Sequence, residues 1–326
     1  MPVTYFEAIR RALRSEMERD PRVILLGEDI GIYGGAFRLT DGFLDDFGPD
    51  RVMDTPISEE GFTGMAVGAA LAGLRPVVEF QFMDFIASAF NAVTNFAAKS
   101  RYRAGAAVPL VLRGPSGAGV RAGPFHSQNP EAHFAHTPGI KVAAPATAPD
   151  AAGLLRAAIR DDDPVLFLEH KRLYRSLKVP DEEFESAPEV VPLGRAAIRR
   201  AGDALTIAAY GAAVWVALDA AERLAAEGVE AEVIDLRCLV PFDREALFDS
   251  VRRTSRLLVL HEDNLTGGFG GEIAALAAEH LFGDLDAPVA RVAAADTPVP
   301  YAAELEDAVL PNADRVVEAA LRLVRY

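Results

Sequence analysis

Two adjacent carboxylates mark the first place where this chain could do chemistry. "DTPISEEGF" spans residues 54–62 and puts Glu59 and Glu60 where a strand should give way to a helix. One reading is structural: Ser58 caps the helix and the two acids complement its positive end. The other is functional: one carboxylate projects from the carboxyl edge of a parallel sheet, where such folds hold ligands, and handles a proton. A second stretch, "HSQNPEAHFAH" (126–136), carries His126, His133 and His136, three of the six histidines. His133 and His136 are spaced to share a helix face. No HExxH pattern accompanies them, and a zinc site would need further ligands, so they read as ordinary helix residues. Ser127 is expected to cap that helix. His126 then sits at the loop–helix junction, where an imidazole can reach a cleft and titrate near neutrality.

Two further motifs are more ambiguous. "AAIRDDDP" (157–164) sets three aspartates at the negative end of a helix. Each is unfavourable there by roughly 0.3–1 kcal/mol. Either water solvates them or a hard cation is held by carboxylates and carbonyls. "HEDNLTGGFGGE" (261–272) reads as strand, glycine-rich turn and helix. A G-x-G-x-x-G frame counted from Gly268 ends on Ile273, and no P-loop lysine is present, so a tight turn accounts for it better than phosphate binding.

The elements that must position these residues alternate along the chain. Short apolar runs at 22–29, 75–82, 108–114, 140–145 and 164–170 predict strands. Amphipathic stretches at 59–74, 85–105 and 149–162 predict helices between them. That rhythm belongs to a parallel sheet covered by helices on both faces. The segment 178–194, "KVPDEEFESAPEVVPLG", is rich in Pro and Glu and reads as a linker. The rhythm then restarts, with strands at 204–211, 229–236, 256–263 and 287–294 and helices between and after them. The predicted fold is α/β, with two doubly wound, mainly parallel-sheet domains: 1–180, a linker at 181–200, and 201–326.

Composition narrows the classes of function. The 326 residues include 33 basic and 48 acidic side chains, a net charge of −15 that argues against nucleic acid as a partner. Cys238 is the only cysteine, which excludes a disulfide framework and a cysteine-built zinc site. No run approaches the roughly eighteen apolar residues of a membrane span. The N-terminal stretch is amphipathic without an apolar signal core. A cytoplasmic protein is the expectation.

Several of these blocks together resemble a known family. "LGEDIGIYGGAFRLTDGF", "DRVMDTPISEEGFTGMAVGAALAGLRPVVEFQFMDF", "HSQNPEAHFAHTPGIKV", "AAIRDDDPVLFLEHKRLYRS", "AEVIDLRCLVPFD" and "LTGGFGGEIAA" occur in the order seen in the β subunit of the thiamine-diphosphate-dependent 2-oxo acid dehydrogenases (E1 β). The resemblance covers essentially the whole chain. It implies a transketolase-like pyrimidine-binding domain at 1–180 and a transketolase-like C-terminal domain at 201–326.

The resemblance also implies roles. Glu59 matches the carboxylate that hydrogen-bonds the aminopyrimidine of thiamine diphosphate and favours the tautomer able to deprotonate the thiazolium carbon. Ile57, Gln81 and Phe85 match positions packed around that ring, and Glu60 would be a first-turn acid only. His126 matches the histidine suited to handing a proton to a lipoyl group. Groups matching Leu110, Ala158, Ile159, Asp161 and Asp163 hold a potassium ion in some members. The G-D-G…Asn-Asn motif that holds Mg²⁺ and the diphosphate is absent from this sequence. The resemblance therefore implies an E1 α subunit that supplies Mg²⁺ and the other half of the site, within an α2β2 assembly containing a second β subunit, and a lipoyl-bearing E2 acyltransferase as acceptor.

The substrate signal is mixed. "HSQNPEAHFAHTPGIKV" and "LTGGFGGEI" resemble the branched-chain 2-oxo acid (3-methyl-2-oxobutanoate) type, whereas "DTPISEEGF" and "MAVGAALAGL" lean toward pyruvate types. Branched-chain oxidation is the expectation. Pyruvate or acetoin, a transketolase-like half-enzyme and a non-catalytic scaffold are the alternatives. A scaffold has no use for Glu59, Gln81, Phe85 and His126.

Overall fold

A computed structural model describes residues 2–326. The chain divides into two compact units, one of residues 2–116 with His133–Leu193, the other Gly117–Ala132 with Gly194–Tyr326.

The first unit starts with helix α1 (Tyr5–Arg19). The Thr4 hydroxyl accepts the Glu7 amide at 3.0 Å and sets where it begins. Its buried stripe, Tyr5, Ala8, Ile9, Ala12 and Leu13, has helical spacing. The strands are β1 (Val23–Gly27), β2 (Val52–Asp54), β3 (Arg75–Glu79), β4 (Val111–Ser116), β5 (Lys141–Ala143) and β6 (Val165–His170). Their order within this unit is β5-β6-β4-β3-β1-β2, and every pairing is parallel. β1, β4 and β6 are buried along their whole length, as strands of a parallel sheet covered on both faces should be. Helices α2 (Glu59–Leu71) and α3 (Ala148–Arg160) follow β2 and β5.

Four local expectations change. Residues 85–105 do not form one helix: a 3₁₀ segment (Met83–Ala89), a π segment (Ala92–Ala97) and a short α-helix (Ser100–Ala104) follow one another. The Glu60 carboxylate captures the Ala92 amide at the junction, and the Ala98 amide reaches back five residues to Val93. Ser58 stands at the start of α2 but its side chain makes no capping bond. The helix after Ser127 is only Glu131–Ala135, and the Ser127 hydroxyl is buried without a hydrogen bond rather than capping it. The segment expected as a linker divides between the units. Its first part carries strand Lys178–Val179 and helix Asp181–Ser186, whose Phe184 is buried.

The second unit holds β7 (Ala197–Arg200), β8 (Leu205–Ala209), β9 (Ala231–Asp235), β10 (Leu257–Asn264) and β11 (Ala290–Ala294), in the order β11-β10-β8-β9-β7. Only the β9–β7 pair is antiparallel. Helices α4 (Ala213–Ala226), α5 (Arg244–Thr254), α6 (Gly270–His280) and α7 (Ala313–Val324) complete the two covering layers. The glycine-rich turn before α6 owes its composition to crowding. A Cβ at Gly268 or at Gly270 would come within 2.5 Å of the His261 ring, which is fully buried. Cys238 is buried and forms no disulfide. Among the described residues no helix is long and apolar enough to cross a membrane.

Candidate active site

The carboxyl ends of β1, β2 and β3 bring together the residues of the first unit that can handle a proton. Glu28 and Asp29 follow β1, Asp54 ends β2, Glu59 starts α2, and Gln81 lies two residues beyond β3. Asp54 is engaged, accepting the Gly31 amide at 2.6 Å and the Ile32 amide at 3.3 Å. Gly31 has no room for a Cβ, which would stand 2.7 Å from Asp54 Oδ2. Gln81 donates to Asp29 Oδ2 at 3.1 Å.

Glu59 and Glu60 separate here. Glu60 accepts from Asn91 Nδ2 at 2.9 Å and from the Ala92 amide at 3.3 Å. Glu59, half-buried, makes no hydrogen bond or ion pair to the described residues. Beside it, the Glu28 carboxyl is buried and its Oε1 has no partner. Burial pushes Glu28 up to about 6, and the negative charges of Glu59 and Asp29 push in the same direction. Glu28, beside Glu59, therefore keeps its proton to a higher pH than an ordinary glutamate. Ile57 is 83% exposed, a large apolar side chain offered to something outside this chain. Phe85 is half-buried and meets Phe82 edge to face at 6.1 Å between centroids.

Beneath this edge lies a charged core. Arg113 on β4 is 1% exposed. It donates to Glu169 of β6 through Nε at 2.5 Å and Nη2 at 2.7 Å, and through Nη1 to Glu79 of β3. The Tyr174 hydroxyl donates to Glu169 Oε2 at 2.6 Å. Burial opposes the charge on Arg113, but the Glu169 and Glu79 carboxylates outweigh it and hold the guanidinium protonated. The pair-and-a-half ties three neighbouring strands together directly under the start of the Gln81 segment.

In the second unit His126 rides on the 117–132 segment. The loop is closed at its base, where the Gly117 amide donates to the Gln128 carbonyl at 3.0 Å. His126 is half-buried and its own amide donates to the Gly123 carbonyl at 3.3 Å. Near the loop's end, Glu131 is buried, accepts from the Tyr210 hydroxyl at 3.0 Å, and leaves Oε2 without a partner. Burial, reinforced by Asp263, pushes Glu131 up to about 8, so it is protonated at neutral pH. The Tyr210 ring stacks on His261, and burial drives His261 down to about 4, keeping it neutral. His133 and His136 are exposed.

Comparison with known proteins decides what this arrangement belongs to. The transketolase pyrimidine-binding domain model matches residues 1–176 and the transketolase C-terminal domain model matches 194–316. The chain is 46% identical over 325 residues to 2-oxoisovalerate dehydrogenase subunit beta of Bacillus subtilis, covering 98% of each. It is 49% identical over 323 residues to the mitochondrial pyruvate dehydrogenase E1 component subunit beta-2 of Oryza sativa, covering 98% of this chain and 86% of that one. The pyruvate dehydrogenase E1 component subunit beta of Rickettsia conorii is 45% identical, with 100% and 99% covered.

This chain belongs to the 2-oxo acid dehydrogenase E1 β family. A solved split-gene transketolase, an inactive β4 tetramer, shares its fold with a TM-score of 0.79 at 25% identity, over 100% of this chain and 99% of that one. The E1 β family consists of oxidoreductase subunits associated with thiamine diphosphate. The groups on this chain fit the pyrimidine half of that cofactor. They are an untethered carboxylate, a second buried carboxyl with an unpartnered oxygen, and apolar side chains at the same sheet edge.

Sequence reasoning missed Glu28 in this E1 β chain. The signal was present: an acid pair directly after a continuous apolar strand, at the edge where parallel sheets hold ligands. The aspartates at 161–163 each have a basic partner within the chain. Asp161 pairs with Lys141 at 2.6 Å, Asp162 with Arg75 at 2.6 Å, and Asp163 with Arg101. Arg75 further donates to the Ile159 carbonyl at 3.0 Å, while the Leu110 and Ala158 carbonyls accept from the Val165 and Asp161 amides. The loop's charge is balanced from within the chain. These basic side chains come from other segments of the chain, so the local sequence does not show them.

Proposed function

We propose that this E1 β chain, with an E1 α subunit, oxidatively decarboxylates a branched-chain 2-oxo acid, 3-methyl-2-oxobutanoate, and passes the acyl group to a lipoyl-bearing E2. The observation that carries the chemistry is the untethered Glu59 beside buried Glu28, next to a Glu60 whose carboxylate is already occupied. Thiamine diphosphate, when bound, supplies the electron sink for decarboxylation. Glu59 would hold and move a proton at the aminopyrimidine, with Ile57, Gln81 and Phe85 orienting that ring. Glu28, neutral up to about pH 6, keeps a second proton close to Glu59. His126 would give a proton to the lipoyl sulfur during acyl transfer.

The missing G-D-G…Asn-Asn motif supports an α subunit as the holder of Mg²⁺ and the diphosphate, in an α2β2 assembly with a second β subunit. Cytoplasmic residence belongs to the same proposal, on the similarity to bacterial relatives.

The branched-chain reading rests on the block from His126 to Val142 and on the similarity to the Bacillus subtilis 2-oxoisovalerate dehydrogenase subunit. Pyruvate is the second reading. The stretches around Glu59 and at 65–74 favour it, as does the 49% identity to the rice pyruvate dehydrogenase subunit. Steady-state kcat/KM for both acids with the intact α–β pair separates them. A pocket that accepts the added methyl groups gains about 10–200-fold for each of them. A preference for pyruvate transfers the assignment to the second reading and leaves Glu59 and His126 in their roles.

A further inference from the structure

One carboxylate oxygen outside the loop that carries His126 accepts donors from both of its limbs. Glu262, near the end of β10, uses Oε1 to accept the Ala118 amide at 2.7 Å and Asn129 Nδ2 at 3.1 Å. Those partners lie on opposite sides of His126, near the two ends of the 117–132 segment. A second carboxylate, the fully buried Glu306, accepts the Gly119 amide at 2.9 Å and Arg121 Nη1 at 2.6 Å. Arg121 also reaches Asp307 at 2.8 and 3.0 Å. At the crown, Gly123 has φ +72°, and a Cβ there would strike the Tyr301 ring.

We infer that Glu262 is a positioning residue for His126. It clamps both ends of the histidine's loop onto the β10 edge, with Glu306 holding the ascending limb. The argument is entropic as well as geometric. Between its ends the segment has no strand and only the first two residues of a short helix. Closing such a loop must be compensated by fixed contacts near its base. A carboxylate oxygen that accepts two donors at once satisfies both limbs with charge-assisted bonds. A histidine that gives up a proton at one defined atom needs placement to within a fraction of an ångström, because an error of about 1 Å is worth roughly a hundredfold in rate.

This inference rests on the assignment of His126 to acyl transfer, so the test separates the two. The enzyme assembled from the full chain and its α subunit is assayed twice: decarboxylation with an artificial electron acceptor, and acyl transfer to a lipoyl domain. Glu262→Ala should lower the lipoyl reaction roughly 10–100-fold and leave the artificial-acceptor rate near wild type. Glu262→Gln keeps an acceptor oxygen at the same place and should restore most of the lost rate. Asn129→Ala, which removes one of the two bonds, should show the same selectivity to a smaller degree even if Glu262→Ala fails to assemble. Adding Glu262→Ala to His126→Ala should cost nothing further, since residues acting through one group are not additive. If His126→Ala loses lipoyl transfer selectively while Glu262→Ala and Asn129→Ala do not, the positioning role is overturned and the His126 assignment stands. If His126→Ala slows both reactions equally, the His126 assignment fails. Hydrogen exchange over 117–132 then decides the clamp alone: faster exchange in Glu262→Ala supports it, and unchanged exchange overturns it.

Discussion

Glu60 accepts a 2.9 Å hydrogen bond from Asn91, 31 positions away, and a second bond from the Ala92 amide. That attachment orients the first turn of α2. It occupies the Glu60 carboxylate, whereas the neighbouring Glu59 carboxylate has no such attachment.

Glu59→Gln should therefore reduce decarboxylation by the assembled enzyme about 10²–10⁴-fold, the range for a lost acid–base partner. Glu60→Gln should be mild in rate, because an amide still accepts one of the two bonds and presents nothing to the cofactor. Steady-state rates of the two variants check this; a more damaging Glu60→Gln would place the reactive carboxylate one residue later.

The isolated chain should bind thiamine diphosphate weakly. It carries the pyrimidine-side groups and lacks the motif for Mg²⁺ and diphosphate. Calorimetric titration with cofactor and Mg²⁺, without a partner, should give little heat. Tight one-to-one binding would overturn the half-site arrangement.

Glu28 should give stability a particular pH dependence. Its carboxyl titrates near 6 in the folded chain against an ordinary 4.5. Between those values the folded state holds a proton that the unfolded state has released, so stability falls as pH rises through the window. Glu28→Gln should flatten that part of the profile and raise stability at pH 7 by up to about 2 kcal/mol. Melting curves from pH 4 to 7 test it, and superimposable wild-type and variant profiles would rule it out.

Arg113→Met should be severely destabilising. It leaves the buried Glu79 and Glu169 facing each other without a cation, a loss of the order of 3–5 kcal/mol for a broken buried pair. Tyr174→Phe removes only a donor to Glu169 and should cost about 1–3 kcal/mol. Urea midpoints of the two variants should rank in that order; an Arg113→Met chain as stable as wild type would mean that the carboxylates are satisfied some other way.

The sequence by itself determined the alternation of strands and helices, the mainly parallel character of both sheets, the place of an acid pair after the second strand, and the want of a diphosphate motif. These are local properties. Burial period, strand length and the residues of a turn are written within a few positions of one another. Tertiary structure decided everything that depends on a distant partner. Asn91 separates Glu60 from Glu59. Burial behind the sheet edge raises the pH at which Glu28 gives up its proton. Lys141, Arg75 and Arg101 neutralise three aspartates that read locally as a cation site. Residues 85–105, helical by periodicity, break into 3₁₀ and π segments, and at their junction a carboxylate from α2 takes the Ala92 amide. The His126 loop has no periodicity at all, and the carboxylates that hold it lie more than a hundred residues further along the chain. A hydrogen bond between such positions leaves no trace in either local pattern, because only folding makes them neighbours.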